Sequence, residues 1–334
     1  MSSSMHGVSG KDRRRDPGPY DLPVLVGLLF VVAAAGLLWL GAELFVDHAA
    51  AAGRRLGLTG LAVGLLLAGA EPEELITAVI AALRGRGGIA AGDAVGANVT
   101  MLTLVMGLAA LMGPLPVGGR VRRYLVGASV LSGVAAVLLP GGVGRGEGLV
   151  LVSLYVVAVA AVWVRERKPP VIGQLAELEE QGHAGFEEVE GWQGLLLVVS
   201  GIGIMATGGW VAVIGAERLV DALGVADSVV GLSVVALATT AELFALAVSA
   251  HRHRISELAV AGVVGSAGYN ATVTLGGAAL ARPLSTAGVK AAGWLAAGLP
   301  LLVLGLGGRV GKVNRWAASL LLGIYVVYVT FLYV

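Results

Sequence analysis

Three glutamates, Glu71, Glu73 and Glu74, sit with Pro72 in an otherwise apolar stretch from 58 to 83, directly after Ala68-Gly69-Ala70. A further acid, Glu242, follows Ala238-Thr239-Thr240-Ala241 in the apolar stretch 228–250. A carboxylate in the middle of a membrane span costs at least about 2.5–3.5 kcal/mol on insertion scales, so its retention points to a task. Small residues and proline ahead of such an acid interrupt a helix, free carbonyl groups and aim half-helix dipoles into the bilayer. Glu74 and Glu242 lie near the middles of their stretches, and with freed carbonyls and small hydroxyls they make an all-oxygen shell. That donor set suits Na⁺, Ca²⁺ or H⁺ over soft metals. The plainer alternative is that each Glu pairs with a neighbouring helix and fixes its packing.

The elements that carry these acids are membrane spans. The 334 residues are 57% hydrophobic and only 13% charged, where a soluble domain averages roughly 25% charged. Mean hydropathy is +0.85. Such a chain is no soluble enzyme, nucleic-acid binder or disordered polymer, and a net charge of +1 offers no polyelectrolyte attraction. The absence of cysteine excludes a disulfide framework, a thiol nucleophile and a cysteine metal site. No Walker-type loop, serine triad or zinc helix motif is present. The 52 glycines, in so apolar a chain, mean close helix packing or broken helices.

At about 20 apolar residues per crossing, the runs 22–46, 58–83, 88–113, 122–139, 148–164, 193–216, 228–250, 256–280, 286–307 and 313–334 predict ten spans. The expected fold is an all-α polytopic membrane protein. Residues 1–21 form a polar tail. The first span is too long, and lacks the small-residue cleavage site, for a signal peptide, so it reads as a helix of the mature protein. The hydrophilic stretch 165–192, rich in glutamate from Glu166 to Glu190, divides five spans (22–164) from five (193–334). Most basic residues at span ends, among them Arg120, Arg122, Arg123, Arg165 and Arg252, fall on the side of this linker. The positive-inside rule therefore places the linker in the cytoplasm and both termini outside, in what reads as a bacterial plasma membrane. The basic residues of the N-terminal tail oppose that orientation.

The two halves repeat each other. Leu56-Gly57-Leu58, Val63-Gly64-Leu65 and the acids from Glu71 are echoed by Leu223-Gly224-Val225, Val230-Gly231-Leu232 and Glu242. Val95-Gly96-Ala97-Asn98 matches Val264-Gly265-Ser266-Ala267, and Gly41-Ala42-Glu43 with Asp47 matches Gly215-Ala216-Glu217 with Asp221. An odd number of spans per copy inserts the second copy upside down, an architecture that puts a transport site at the midplane between the copies.

With these motifs in view, the chain resembles the calcium/cation antiporter superfamily of the sodium/calcium exchanger type over nearly all its spans. That family carries Gly-Thr-Ser-x-Pro-Glu on one helix of each repeat and Gly-Ser-Asn-x-x-Asn on the next. The second copy keeps Thr239, Thr240 and Glu242, then Gly265-Ser266-Ala267-Gly268-Tyr269-Asn270. The resemblance implies that Thr239, Thr240, Glu242, Ser266 and Asn270 line an ion site. The second copy lacks the proline and is one residue short there, so either Glu242 or Leu243 holds the family's acid register. The first copy departs further. Ala70 and Glu71 stand for Thr and Ser, Glu73 for Pro, Ala97 for the site Ser and Met101 for the second Asn; Glu74 remains. On a continuous helix Glu71 and Glu74 would share a face, with Glu73 pointing elsewhere. Carboxylates buried side by side cannot all be charged without cations between them, which favours proton coupling or an altered stoichiometry over a faithful copy of sodium/calcium exchange.

Weaker candidates are Asp93, near the start of span three, and Glu43 and Glu217 at matching span ends, each as an ion-path residue or as an interfacial anchor. His251 and His253 fall in a short loop that reads as a solvated turn. The resulting expectation is a secondary cation antiporter that exchanges Na⁺ or H⁺ for Ca²⁺ or another cation, with helices one and six sliding past the site. It is not an enzyme, has no cofactor, and has lipid and inorganic cations as partners, with no nucleic acid. Two alternatives stand beside it: a drug/metabolite-type 5+5 transporter of an organic substrate, and a non-transporting membrane sensor.

Overall fold

The computed structural model describes residues 21–55, 71–166, 192–253, 256–308 and 311–334. The tail to residue 20, residues 56–70 with Ala68-Gly69-Ala70, and most of the acidic linker lie outside the described residues. The first half runs α1 (Asp21–Arg55), α2 (Pro72–Leu83) and α3 (Gly87–Thr100), which continues through a π-helical turn, Met101–Val105, into α4 (Met106–Met112). Then come β1 (Leu115–Pro116), α5 (Gly119–Leu138) and α6 (Arg145–Glu166). The second half begins with α7 (Trp192–Leu223), then α8 (Asp227–Val230), a π turn at Gly231–Val235, α9 (Ala236–Thr239) and α10 (Ala241–His253). It ends with α11 (Ser256–Tyr269), a π turn at Asn270–Thr274, α12 (Leu275–Ala281), α13 (Lys290–Gly308), β2 (Lys312–Val313) and α14 (Arg315–Leu332).

The protein is an all-α polytopic membrane protein. Among the described residues, seven helices, counting α3 with its continuation, are long and apolar enough to cross a membrane. The expected ten spans come from adding α2, the broken helix α8–α10, and α11–α12. Leu25, Leu29, Val32, Val157 and Val164 are exposed on α1 and α6, the signature of helices that face lipid. By contrast α3 is buried from Ile89 to Thr100 without a gap, so its small residues let neighbours close on it from all sides.

The halves share one plan. The segments from Gly87 to Met112 and from Ser256 to Ala281 have the same three-part construction, 169 residues apart. Leu115 pairs with Val313 in the short β1–β2 ladder, and its equivalent Leu284 bridges to Val143. The first helices of the two halves, α1 and α7, run antiparallel, as copies inserted in opposite senses do. Gly27 meets Gly215 and Leu219, while Gly41 meets Gly201 and Met205. A Cβ on Gly41 would lie 2.8 Å from the Met205 backbone N, so only glycine lets these backbones approach this closely.

His251 to His253 form the last turn of α10 rather than a loop, and His251 packs beside Gly113. The helix outlasts its apolar run because polar residues continue an α-helix freely once it leaves the membrane.

Candidate ion-binding site

The two helices that carry the acids begin where expected, at Pro72 and Ala241, but by different means. Glu71 has a non-helical backbone (φ −115°, ψ 77°), and Pro72 opens α2 at the position where a missing N–H costs nothing. In the second half neither Pro nor Gly is involved. Thr240 (φ −82°, ψ 6°) ends α9, and its hydroxyl donates back to Ala236 O at 2.7 Å. Thr239 likewise donates to Val235 O at 3.2 Å, so the hydroxyls compete with the helical ladder at the break.

The breaks settle which residues correspond. Pro72 and Ala241 each open a helix at the same distance before the next one, at Gly87 and Ser256. Glu242 is therefore the counterpart of Glu73, Thr240 of Glu71, and Leu243 of Glu74. Of the two registers left open, Leu243 rather than Glu242 takes the place of Glu74, because the helix restarts at Ala241 and no irregularity between the break and the acid absorbs the missing proline. The expected direction of Glu73 is corrected. Glu71 lies outside α2, so helical spacing does not relate it to Glu74, and it is Glu73 that converges on Glu71.

One carboxylate oxygen each of Glu71, Glu73 and Glu242 lies within 4.8 Å of the other two. The three residues are buried, as is Glu74. Ser266 donates its hydroxyl to Glu71 Oε1. Asp93, wholly buried on α3, accepts a hydrogen bond from Thr239 Oγ1 at 3.0 Å. Asn270 Oδ1 accepts from Thr274 Oγ1 at 2.8 Å. Among the described residues, neither oxygen of Glu73 or of Glu74 accepts a hydrogen bond, and Asn270 Nδ2 has no acceptor. The Thr77 hydroxyl takes the Glu73 backbone carbonyl at 2.7 Å, not its carboxylate. The edge-on rings of Tyr155 and Tyr269, with centroids 5.5 Å apart, add a buried apolar wall.

Close backbone approach brings these groups together. An added Cβ on Gly231 would lie 2.6 Å from Ile89 O. At that separation α3 lies directly on the π turn of the second half, with Asp93 against Thr239. Asn98 donates to the carbonyl of Ala267 at 2.9 Å, 169 residues along, which joins the two copies at equivalent positions. These contacts had no counterpart in the sequence reading, although Gly92 and Gly96, set four apart on one apolar helix, are their visible trace.

The outlying candidates separate from the cluster. Glu43 is exposed on α1, Asp221 is exposed, and the Asp47 side chain lies outside the described residues. Glu217 accepts from Arg84 Nε at 3.1 Å and Nη2 at 2.7 Å, and from Arg86 Nε at 3.3 Å. Its partner Arg84 is raised above the ordinary guanidinium value by that hydrogen bond. Glu217 thus ties the end of α7 to the turn between α2 and α3, with two arginines on its carboxylate. Partly exposed pairs contribute about 0.2–1 kcal/mol. Glu217→Gln is accordingly expected to leave cation flux within about twofold and to lower the thermal midpoint only slightly, measured on purified and reconstituted protein.

The sodium/calcium exchanger protein family is matched over residues 26–164 and 192–334, both halves and all the helices that carry the buried acids. The chain belongs to the sodium/calcium exchanger family. Among its relatives, CaxA of Alkalimonas amylolytica is 26% identical over 315 residues, which are 91% of this chain and 98% of that protein. Inner membrane protein YrbG of Escherichia coli K12 is 28% identical over 271 residues, 78% and 79% of the two chains. The solved structure of the sodium-calcium exchanger NCX_Mj, soaked with zero Na⁺ and Ca²⁺, superposes with a TM-score of 0.59 at 22% identity. It covers 92% of this chain and 99% of its own, and shows that the fold is shared. Membership of the exchanger family overturns the drug/metabolite alternative. Within this exchanger the two copies are unequal: Met101 opens the π turn of the first where Asn270 opens that of the second, and Ala97 stands opposite Ser266. Both Met101 and Ala97 are fully buried, so the first copy presents methyl and thioether surface where the second presents oxygen.

Proposed function

We propose that this exchanger is a secondary active cation antiporter that carries Na⁺ or H⁺ one way and Ca²⁺ or another cation the other, by alternating access at the buried acids. The observation that carries the reading is the pair Glu73 and Glu74, each 1% exposed, whose carboxylate oxygens accept no hydrogen bond among the described residues. Ion pairs among the described residues join Arg84 and Arg86 to Glu217 and Asp227, and none reaches these two acids. Buried carboxylates without a partner are tolerated where a cation or proton supplies the missing charge.

Glu71, Glu242, Thr239, Ser266 and Asn270 complete the oxygen set, with Asp93 as a ligand or as the holder of Thr239. Thr240, whose hydroxyl donates to Ala236 O, keeps its oxygen lone pairs and belongs to the set as well. Alternating access would come from α1 and α7 moving as an antiparallel pair past the helices that hold the acids. The linker would lie in the cytoplasm of a bacterial cell. Arg120, Arg122 and Arg123 at the start of α5 favour that placement.

Ala97 and Met101 favour the second reading, a non-transporting sensor that binds ions without moving them. Proteoliposomes under Na⁺, K⁺, Ca²⁺ and H⁺ gradients imposed in turn decide between them. The antiporter is expected to drive Ca²⁺ uptake with an outward Na⁺ or H⁺ gradient. Uptake driven by Na⁺ at constant pH with no proton movement excludes proton coupling. Ion binding without any flux leaves the sensor.

A further inference from the structure

We propose that the second half carries a seat for one acyl chain of an anionic phospholipid, in a cavity of about 760 Å³ between α8, α13 and α14. None of the buried acids lines it. The seat goes beyond the antiporter reading and does not depend on it, since its ligand is a lipid and not an ion.

Shape makes the first argument. The helix α14 supplies one wall from Ser319 to Leu332, a length of about 20 Å at the α-helical rise. Half of a roughly 30 Å hydrocarbon core is about 15 Å, so the wall is long enough for a chain of one leaflet. Ser228, Ala292 and Tyr328 form a buried floor, while Leu320, Val327 and Phe331 line the same cavity and are exposed. On a membrane span such exposed apolar residues face lipid, so the cavity opens to the bilayer. Its volume falls within the roughly 300–1,000 Å³ of sites that hold a small molecule. An apolar lining keeps water out, and an unfilled space forfeits dispersion contacts along its whole wall. Acyl chains are the apolar matter that surrounds it. A second copy of this chain fits less well, because membrane helices associate through small residues, and this rim is Leu320, Val327 and Phe331.

Charge makes the second. Lys290 stands between the lining residues Gly288 and Ala291, is exposed, and pairs with no carboxylate among the described residues. Asp227, between the lining residues Ala226 and Ser228, is already paired with Arg86. A lysine at the mouth of an apolar slot suits a lipid phosphate. In the first half the cavity against α5 and α6 holds only about 90 Å³, and Arg123 and Tyr124 line it. Aligned on the wholly buried Val121 and Val289, those two match Ala291 and Ala292, so smaller side chains open the second cavity. The seat also touches the ion site through its floor. The Tyr328 hydroxyl donates to Leu232 O at 2.9 Å, and the hydroxyls of Tyr333 and Ser233 are 2.8 Å apart. Leu232 and Ser233 belong to the π turn Gly231–Val235, which leads into α9 and Thr239. A chain packed on the Tyr328 ring therefore braces the element that positions Thr239.

The test is native mass spectrometry of the purified full-length protein in detergent, titrated with dioleoylphosphatidylglycerol. One lipid per chain is expected to stay bound and to raise the thermal midpoint by several degrees. Gly323 lines the cavity, and nothing lies within 4 Å of a Cβ added to it, so Gly323→Leu fills the slot without a clash. That variant is expected to weaken lipid binding at least about tenfold. Gly323→Ala is expected to weaken it by a smaller factor, and it serves if the leucine variant does not elute as folded protein. Lys290→Gln is expected to keep a lipid and lose the preference for phosphatidylglycerol over phosphatidylcholine; an unchanged preference overturns the anionic head group. A wild type that retains no lipid, or a folded Gly323→Leu that retains as much as the wild type, overturns the seat. A wild-type dimer that Gly323→Leu converts to monomer overturns it too, in favour of a second copy. Retained lipid in a protein that shows no cation flux under any gradient supports the seat and removes the antiporter.

Discussion

Glu74→Gln abolishes cation exchange and leaves the protein at least as stable as the wild type. In proteoliposomes the expected loss of flux is on the order of 100-fold, and Glu242→Gln loses it to a similar extent. The substitution keeps the shape of the side chain and removes one negative charge. Glu74 is 1% exposed, and neither of its oxygens is satisfied among the described residues. A buried carboxylate without a partner is a net cost to the fold, of at least about 2.5–3.5 kcal/mol on insertion scales. An amide in the same place costs less, so the thermal midpoint of Glu74→Gln in detergent is expected to hold or rise. That combination separates a transport site from a packing role, which predicts the reverse: flux retained and stability lost. A Glu74→Gln variant with wild-type flux and a lower midpoint would end the case for this acid.

Gly96→Ala is expected to unseat the site from its other side. A Cβ built on Gly96 lies 2.5 Å from Leu232 O, 2.7 Å from Leu232 Cα and 2.8 Å from its carbonyl carbon. These are backbone atoms of the π turn, and they cannot rotate away as a side-chain tip can. Overpacking at such a contact costs about 1–3 kcal/mol, occasionally more. The strain is relieved by moving the π turn off α3, which pulls Thr239 from Asp93, now 3.0 Å apart. Flux is expected to fall at least about tenfold and the thermal midpoint to drop by several degrees. Gly133→Ala is the contrast, since nothing lies within 4 Å of its added Cβ. There alanine favours the helix by about 0.5–1 kcal/mol, and the midpoint is expected to rise with flux unchanged. Equal behaviour of the two variants would remove close packing as the reason for the loss.

The sequence was legible wherever one residue type carries a large transfer energy. Long apolar runs marked the spans, and acids inside them marked the site, because a membrane penalises charge by residue type alone. The start of α2 could also be read, from Pro72, and the break after α9 from the Thr239-Thr240 pair. The register of the acids could not. The glycines repeated between the halves left Glu242 and Leu243 both open, and only the restart of the helix at Ala241 assigned Glu242 to the place of Glu73. The side of Glu73 was likewise misjudged, since the helical rule assumed a helix that does not begin until Pro72. The π turns went unseen because a single wider turn leaves no composition behind it. Glu217 looked like an ion-path residue in sequence and proved to be claimed by Arg84 and Arg86 from the other half, partners remote in the chain.

By itself, then, the sequence determined the class of protein, the sites of interruption, the repetition of the halves and the presence of acids where lipid forbids them. All of these follow from local composition and from the energy of single residues in a bilayer. Tertiary structure decided which acids meet. Glu71, Glu73 and Glu242 converge while Glu74 stands with Asp93 and Asn270 outside that group. The grouping depends on how closely Gly92, Gly96 and Gly231 let two backbones approach, and on the direction in which a broken helix resumes. Those are properties of distance between remote segments, which no stretch of sequence carries alone.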